Sequence, residues 1–124
     1  MDTRAACRTF NVLLAENGRS AESTLLTNPV SVIVFDFRTR FDAKDFSSRK
    51  SRTLEALTDV DPFVPLILTC DADTELDHGT SLMADLVLKH PVQPSALLDG
   101  IDTLLGESLR ERVYRKSDYI ATLR

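Results

Sequence analysis

The chain has few of the residues that characterise disulfide-rich, zinc-binding or nucleic-acid-binding proteins. Its 124 residues include no tryptophan, two cysteines and two histidines, and the formal net charge is -4. Cys7 and Cys70 lie far apart, without CxxC or histidine spacing. This predicts two ordinary small apolar side chains in a reducing setting, not a disulfide framework or a zinc site. The acidic balance gives no general attraction to nucleic acid, so no direct nucleic acid binding is expected.

Long apolar runs are also missing. None approaches the ~20 residues that a membrane-spanning helix needs, and residues 1–8 contain no apolar core of the kind found in signal peptides. The sequence has no P-loop, no GxGxxG string and no recognisable Ser/His/Asp set. These absences favour a cytoplasmic protein without catalytic turnover, and an unrelated small enzyme is the weakest alternative.

Short apolar runs alternate with amphipathic segments along the chain. Strands are predicted at residues 10–14, 30–35, 64–70 and 86–88, and helices at 20–26, about 45–58, a short stretch beginning at 71–74, and 94–105. The nearly continuous apolar run at 30–35 favours a strand covered on both faces. The alternation of strands and helices predicts an α/β fold with a mainly parallel sheet.

The last predicted helix has an apolar stripe and leads into a charged segment. Its inward residues are Leu97, Leu98, Ile101, Leu104 and Leu105, and apolar residues continue beyond Gly106 at Leu109, Val113, Ile120 and Leu123. Residues 1–105 are therefore predicted to form one domain, and residues 106–124 a helical extension or linker. The second stripe predicts self-association or contact with a partner. A solvated, frayed helix is the alternative, because Gly106 and Ser117 weaken the pattern.

Polar residues stand at the ends of the three later strands. Asp36 closes the second predicted strand, Thr69 lies at the end of the third, and Lys89-His90-Pro91 follows the fourth. The carboxyl ends of the strands in an open parallel sheet form the crevice where ligands bind. The sequence therefore predicts that an acid, a hydroxyl and a basic residue share one pocket.

This spacing resembles that of the receiver domains of two-component response regulators. The similarity extends over about residues 10–105, and it includes Ala15-Glu16-Asn17-Gly18 after the first predicted strand and Gln93-Pro94-Ser95 at the start of the last helix. The resemblance implies an incomplete flavodoxin-like (receiver-like) sheet flanked by helices, with an extended C-terminal helix. It also implies that Asp36 is the phosphoacceptor candidate and that Thr69 is the switch residue.

The chain departs from the receiver pattern at its beginning. Receivers start with a strand that ends in two acidic residues and is followed by a helix, and residues 1–8 cannot supply that unit. A competing alignment makes residues 11–16 the first strand, but it leaves too few residues before Asp36. Because receivers use the acidic pair as well as the aspartate to hold Mg²⁺, Asp36 alone is a weak metal site, and no cofactor is expected. Asp71 and Asp73 are assigned to a loop or a helix cap.

The basic position departs from the pattern as well. Alignment on Pro91 places His90 where receivers have lysine, whereas Lys89 precedes it on a strand and is expected to point to the opposite face. Both are therefore phosphoryl-contact candidates. The resemblance also suggests a cis His90-Pro91 peptide bond. Val87 stands where receivers usually have an aromatic switch residue.

Two further expectations concern the surroundings of Asp36. Arg38 and Arg40 follow it closely in the sequence and are expected to form a static salt link with it. The absence of the first receiver strand leaves exposed edges on its two neighbours, residues 11–14 and 30–35. These two strands are expected either to pair with each other or to be completed by another chain.

These departures favour a degenerate receiver-like protein in two-component signal transduction. It would bind a histidine kinase or another signalling partner and modulate the phosphorelay without completing phosphotransfer, for example as an inhibitor of the kinase. The alternative is a genuine phosphoacceptor receiver, with Asp36 as acceptor, in a regulator whose N-terminal part lies outside this sequence. Such a chain would serve as the regulatory part of a larger protein, for example a transcriptional regulator.

Overall fold

Three parallel strands and five helices form most of the chain that the computed structural model describes. The described residues are 11–15, 17–37, 43–76 and 78–122, with side chains described except at 43–51, 78–79 and 117–122. In chain order the elements are α1 Gly18–Thr27, β1 Ile33–Phe37, α2 Ala43–Val60, β2 Leu66–Cys70, α3 His78–Met83, β3 Leu86–Lys89, α4 Pro94–Leu105 and α5 Leu109–Thr122.

The strands form one sheet in the order β1-β2-β3, and both pairs are parallel. The register places Asp36 of β1 beside Thr69 of β2, and Thr69 beside Leu88 of β3. The prediction of an α/β fold with a parallel sheet flanked by helices is therefore confirmed. The arrangement is consistent with an incomplete flavodoxin-like fold.

The centre of the core is β2, in which every residue is buried. Its alternate side chains serve two apolar clusters, one on each face of the sheet. The first cluster packs α2 and α3 onto the sheet, and its buried members are Phe37, Leu54, Leu66, Leu68, Cys70 and Met83. The second packs α4 onto the other face through Ile67, Ile101 and Leu104. Helix α4 approaches closely because it has a glycine at position 100, where a Cβ would collide with the end of the Leu86 side chain.

Strand β1 differs from β2 because apolar packing from the described part of the chain covers only one of its faces. Phe37 is buried and Phe35 packs against the first cluster, whereas Asp36 is exposed and the Val34 residue is 47% exposed. The prediction that this run is covered on both faces is therefore wrong for β1. The physical reason is its edge position, since α4 packs over β2 and β3 through residues that centre on Ile67.

Helix α1 begins and ends with local hydrogen bonds. Asn17 accepts a hydrogen bond from the Ser20 backbone N–H, and the Ser20 hydroxyl accepts one from the Asn17 N–H, forming a reciprocal capping box. The helix ends at Thr27, before Asn28 and Pro29, as the sequence predicts. It packs against α2, and a Cβ at Gly18 would lie 2.9 Å from the Thr53 hydroxyl oxygen.

Two local predictions are wrong. Residues 11–15 are exposed and form no strand, so the strand predicted at residues 10–14 and its pairing with β1 are absent from the described residues, whereas the expected alternative, completion by another chain, stays a prediction. A four-residue segment with no neighbouring strand lacks partners for its backbone groups, which apolar sequence alone cannot supply. The short helix predicted to begin at residues 71–74 begins only at His78, and the Thr74 N–H donates to the Asp71 carbonyl in a turn, so Asp71 and Asp73 lie in a loop, one of their two predicted roles.

Helix α5 does not continue α4. The two helices are separated by residues 106–108, and the Arg112 guanidinium reaches back to the carbonyls of Leu104 and Glu107. Arg112 and Lys116 are largely buried, whereas the apolar Leu109 and Val113 are 65% and 38% exposed. The face of α5 that meets the domain is therefore the cationic one. None of the helices in the described part of the chain is long and apolar enough to cross a membrane.

The contact between α5 and the sheet centres on Asp85, whose side chain is 2% exposed. Asp85 Oδ2 accepts a hydrogen bond of 2.5 Å from the Leu66 backbone N–H and lies 3.1 Å from Lys116 Nζ, while Oδ1 binds Arg115 Nη1. Lys116 Nζ also donates to the carbonyl of Val64 at 2.8 Å. We call Asp85, Arg115 and Lys116 the Asp85 network. Burial lowers the pKa of Lys116 below its usual value, although Asp85 opposes this shift.

Glu107 supports the network from the other side of Arg115. Its two carboxylate oxygens each accept a 2.7 Å hydrogen bond from the guanidinium, and Arg112 Nε lies 3.4 Å away. The hydrogen bonds from Arg115 hold the pKa of Glu107 below its ordinary value of 4.5, and in return they raise the pKa of Arg115.

Because the pKa of Glu107 is lowered in the folded chain, the free energy of unfolding depends on pH in the acid range. The unfolded chain binds the Glu107 proton more readily, so this stabilisation is present above pH 4.5 and is lost as the pH falls through the lower folded pKa. At pH 6, the wild type is expected to unfold at a higher urea concentration than Glu107→Gln. The difference between the two midpoints should shrink below pH 4.5. Glu55→Gln, on an exposed position of α2, is the control. A difference that stayed constant down to the acid transition would contradict this.

Candidate functional site

The candidate site begins with two neighbouring positions of β1 and β2. Asp36 and Thr69 are register partners, one residue before the ends of their strands. The Thr69 hydroxyl donates to Asp36 Oδ1 over 3.0 Å. Because Thr69 is 6% exposed and β2 is buried on both sides, this hydroxyl is held in place by the core. The strand register therefore positions the first pair of the predicted pocket.

His90 completes the group from the residue that follows β3. Its Nε2 lies 3.1 Å from the same oxygen, Oδ1 of Asp36. The His90 backbone N–H donates to the Cys70 carbonyl over 2.8 Å, and the His90-Pro91 peptide bond is cis, as the resemblance suggested. Asp36, Thr69 and His90, which are far apart in the sequence, thus meet at the carboxyl ends of three adjacent strands.

Lys89 lies elsewhere. Its ammonium group donates to the carbonyl of Thr74 over 2.8 Å, in the turn that follows β2. This agrees with the expectation that successive residues of a strand point to opposite faces. Of the two basic candidates, His90 and not Lys89 therefore lies beside Asp36. The expected salt links from Arg38 and Arg40 lie outside the described residues.

The site is open to solvent on one side. The Asp36 side chain is 53% exposed, and that of His90 is 21% exposed. Two donors meet one carboxylate oxygen of an accessible aspartate, so the carboxylate is oriented and remains reachable by a reactant. Receivers have lysine at the position of His90. A histidine side chain neutralises a nearby negative charge only in its protonated form, so it is a weaker partner for a phosphoryl group than a lysine.

The described residues contain no group of three or more His, Cys, Asp or Glu side chains that could hold a metal ion. Asp71 and Asp73 belong to the turn after β2. A Mg²⁺ site would need further oxygen ligands from solvent, from a phosphoryl group or from residues outside the described part. Val87, at the position of the aromatic switch residue, packs against the first apolar cluster.

Sequence reasoning missed the Asp85 network at the opposite, amino-terminal end of the sheet. No role is assigned to Asp85 from the sequence, and residues 106–124 are predicted to be an extension or linker outside the domain. One signal was available, because Lys116 lies three residues after Val113 on the apolar stripe of α5, where a hydrophobic residue would be expected. Leu109 and Val113 of this stripe, however, are exposed.

Comparison with known proteins does not place the chain in a family. A scan against protein-family models, a search of curated proteins and a search of solved structures each gave no match.

Proposed function

We propose that this chain is a receiver-like signalling module. It binds a histidine kinase or another two-component protein in the cytoplasm and modulates the phosphorelay without completing phosphotransfer itself. The observation that carries the proposal is the convergence of Asp36, Thr69 and His90 at the carboxyl ends of adjacent parallel strands, the usual place for ligands in such sheets.

The chemistry of the site argues for binding over turnover. Phosphoryl transfer depends on positioning and on neutralising the charge of the transferred group, which metal ions and a fixed cation supply. Here the Thr69 hydroxyl and the His90 imidazole both contact Asp36 Oδ1, and the ammonium group of Lys89 is engaged with the Thr74 carbonyl instead. In the loop after β3, Pro91, Gln93 and Pro94 are exposed and Val92 is half-buried, so this loop beside the site offers a surface for the partner.

A kinase assay tests the proposal directly. Increasing amounts of this protein are added to a histidine kinase encoded near its gene, and autophosphorylation and transfer to the cognate receiver are measured. We expect the rate of autophosphorylation, the rate of transfer, or both to fall as the amount of this protein increases. Val92→Asp, in the loop beside the site, should weaken the effect, whereas Glu55→Lys on α2 should not. Unchanged rates together with no detectable binding would overturn the proposal.

The alternative function is a genuine phosphoacceptor, as the regulatory part of a larger regulator such as a transcriptional regulator. The exposure of Asp36 favours it, since an acceptor carboxylate must be reachable. Incubation with a small phosphodonor and Mg²⁺, followed by intact mass measurement, separates the two functions. We expect little phosphorylation, because His90 replaces a fixed cation. Substantial phosphorylation that disappears in Asp36→Asn would instead establish the alternative.

A further inference from the structure

The Asn17-Gly18 peptide carries a chemistry that the candidate site does not use. An asparagine side chain can react with the backbone nitrogen of the next residue, and glycine permits this best because it has no Cβ to block the approach. The chain contains three asparagines, and the other two are followed by Val12 and by Pro29. The bulk of a β-branched valine hinders the attack, and a proline nitrogen has no proton to lose. Asn17 is therefore the asparagine whose sequence context favours loss of its amide.

The structure holds the Asn17 side chain in a position that opposes this reaction. Asn17 precedes α1, and its Oδ1 accepts a 2.9 Å hydrogen bond from the Ser20 N–H. The Ser20 hydroxyl lies 3.3 Å from the Asn17 backbone nitrogen and donates to the Asn17 carbonyl over 3.1 Å. To react, Asn17 must rotate so that its carboxamide carbon meets the Gly18 nitrogen, and this rotation breaks the bonds to Ser20. The capping box therefore limits the reaction to moments when the first turn of α1 is open.

Helix α1 is suited to opening without the rest of the domain. It has no buried residue, and its main contact is with α2. Segments with few buried apolar contacts open at a lower free energy than the core. Glycine is also favoured at position 18 by packing, because a Cβ there would lie 2.9 Å from the Thr53 hydroxyl oxygen of α2. The close approach of the two helices thus favours the residue that makes Asn17 reactive.

We propose that Asn17 is a site of spontaneous deamidation and that the capping box sets its rate. The Gly18 nitrogen loses its proton and bonds to Asn17 Cγ, the bond from Cγ to the side-chain nitrogen breaks, and ammonia leaves with a proton. Water then opens the resulting succinimide ring at one of its two carbonyl carbons. Opening at Cγ gives aspartate, whereas opening at the backbone carbonyl carbon gives isoaspartate, in which the main chain runs through the former side chain.

The two products affect α1 in opposite ways. Aspartate at position 17 keeps an acceptor for the Ser20 N–H, and it adds a negative charge at the amino end of α1, whose first turn has no acidic residue. Isoaspartate inserts a methylene group into the main chain before Gly18 and removes the side chain that caps the helix. The first product therefore stabilises the start of α1, and the second loosens it.

Intact mass measurement and peptide mapping of the full chain, aged in a mildly alkaline buffer, test the proposal. The peptide with Asn17 should gain the mass difference between an amide and an acid, and the peptides with Asn11 and Asn28 should not. Ser20→Ala removes the hydroxyl half of the capping box and should raise the rate about fivefold, the factor that corresponds to the loss of a helix cap. Ser23→Ala, at an exposed position of the same helix, should react at the wild-type rate.

A core variant separates opening of α1 from unfolding of the domain. Ile101→Val weakens the apolar cluster beneath α4 and should leave the rate of deamidation unchanged. Circular dichroism verifies that each variant is folded. An Asn17 amide that survives alike in the wild type and in Ser20→Ala would overturn the proposal, as would equal rates in these two chains. A rate raised as much by Ile101→Val as by Ser20→Ala would also overturn it, because the reaction would then follow unfolding of the whole domain.

Discussion

Replacing Asp85 with alanine is expected to lower the free energy of unfolding by about 3–5 kcal/mol, the usual cost of removing one partner from a buried ion pair. The carboxylate is 2% exposed and meets Arg115, Lys116 and the Leu66 N–H. Without it, the ammonium group of Lys116 stays buried with only carbonyl partners, and the first N–H of β2 loses its acceptor. For a domain of this size the melting temperature should fall by about 10–20 °C.

The design of this experiment separates charge from hydrogen bonding. Asp85→Asn retains an acceptor for the Leu66 N–H but removes the negative charge, so it should fall between the wild type and Asp85→Ala. Asp99→Ala, at an exposed position of α4, is the control and should change stability by less than about 0.5 kcal/mol. Urea unfolding gives the free energies. An Asp85→Ala chain as stable as the Asp99→Ala chain would show that the network contributes little.

Most of the sheet could be predicted from the sequence because its signals are local. Strand β2 is a continuous apolar run with buried residues on both faces, and α4 has proline in its first turn and an inward stripe that includes Ile101 and Leu104. The capping box at Asn17 likewise lies within four residues. Where the residues that form a pattern and the structure that the pattern predicts lie in the same helix or strand, the sequence alone is sufficient to predict that structure.

The features that could not be predicted depend on what neighbours each element. Val34 and Ile67 both lie in apolar runs, but one is 47% exposed and the other 0%, because β1 is an edge and β2 is central. The apolar residues at positions 12–14 predict a strand, but a strand forms only beside another strand. Position in the sheet is a tertiary property, and apolar periodicity does not encode it.

The candidate site was easier to predict than the contact of α5. Asp36, Thr69 and His90 stand at the ends of strands, and a parallel sheet brings such ends together whatever lies between them. By contrast, Arg115, which binds Asp85, lies 30 residues later in the chain. It belongs to a helix whose apolar residues Leu109 and Val113 are exposed, so the apolar pattern does not predict which face meets the domain. Ion pairs between distant elements leave no periodic signal.

Removing residues 107–124 should abolish the cooperative unfolding transition or weaken it by about 3–5 kcal/mol or more, because Asp85 loses both of its cations. The deletion takes away Arg115 and Lys116, and it uncovers the carbonyl groups of Pro62 and Val64. A linker or a solvated extension could be removed with little change. The deletion therefore asks whether α5 belongs to the folded domain.

Two further variants distinguish the contact with Asp85 from the other contributions of α5. Leu109→Ser/Val113→Ser in the full-length protein alters only the exposed stripe of α5 and should leave the unfolding free energy within about 1 kcal/mol of the wild type. Asp85→Leu in the truncated chain removes the unpaired charge and should recover part of the lost stability. A truncated chain that melts at the wild-type temperature, with no gain from Asp85→Leu, would show that α5 is dispensable. Recovery by Asp85→Leu would instead identify the carboxylate as the reason that the domain needs its last helix.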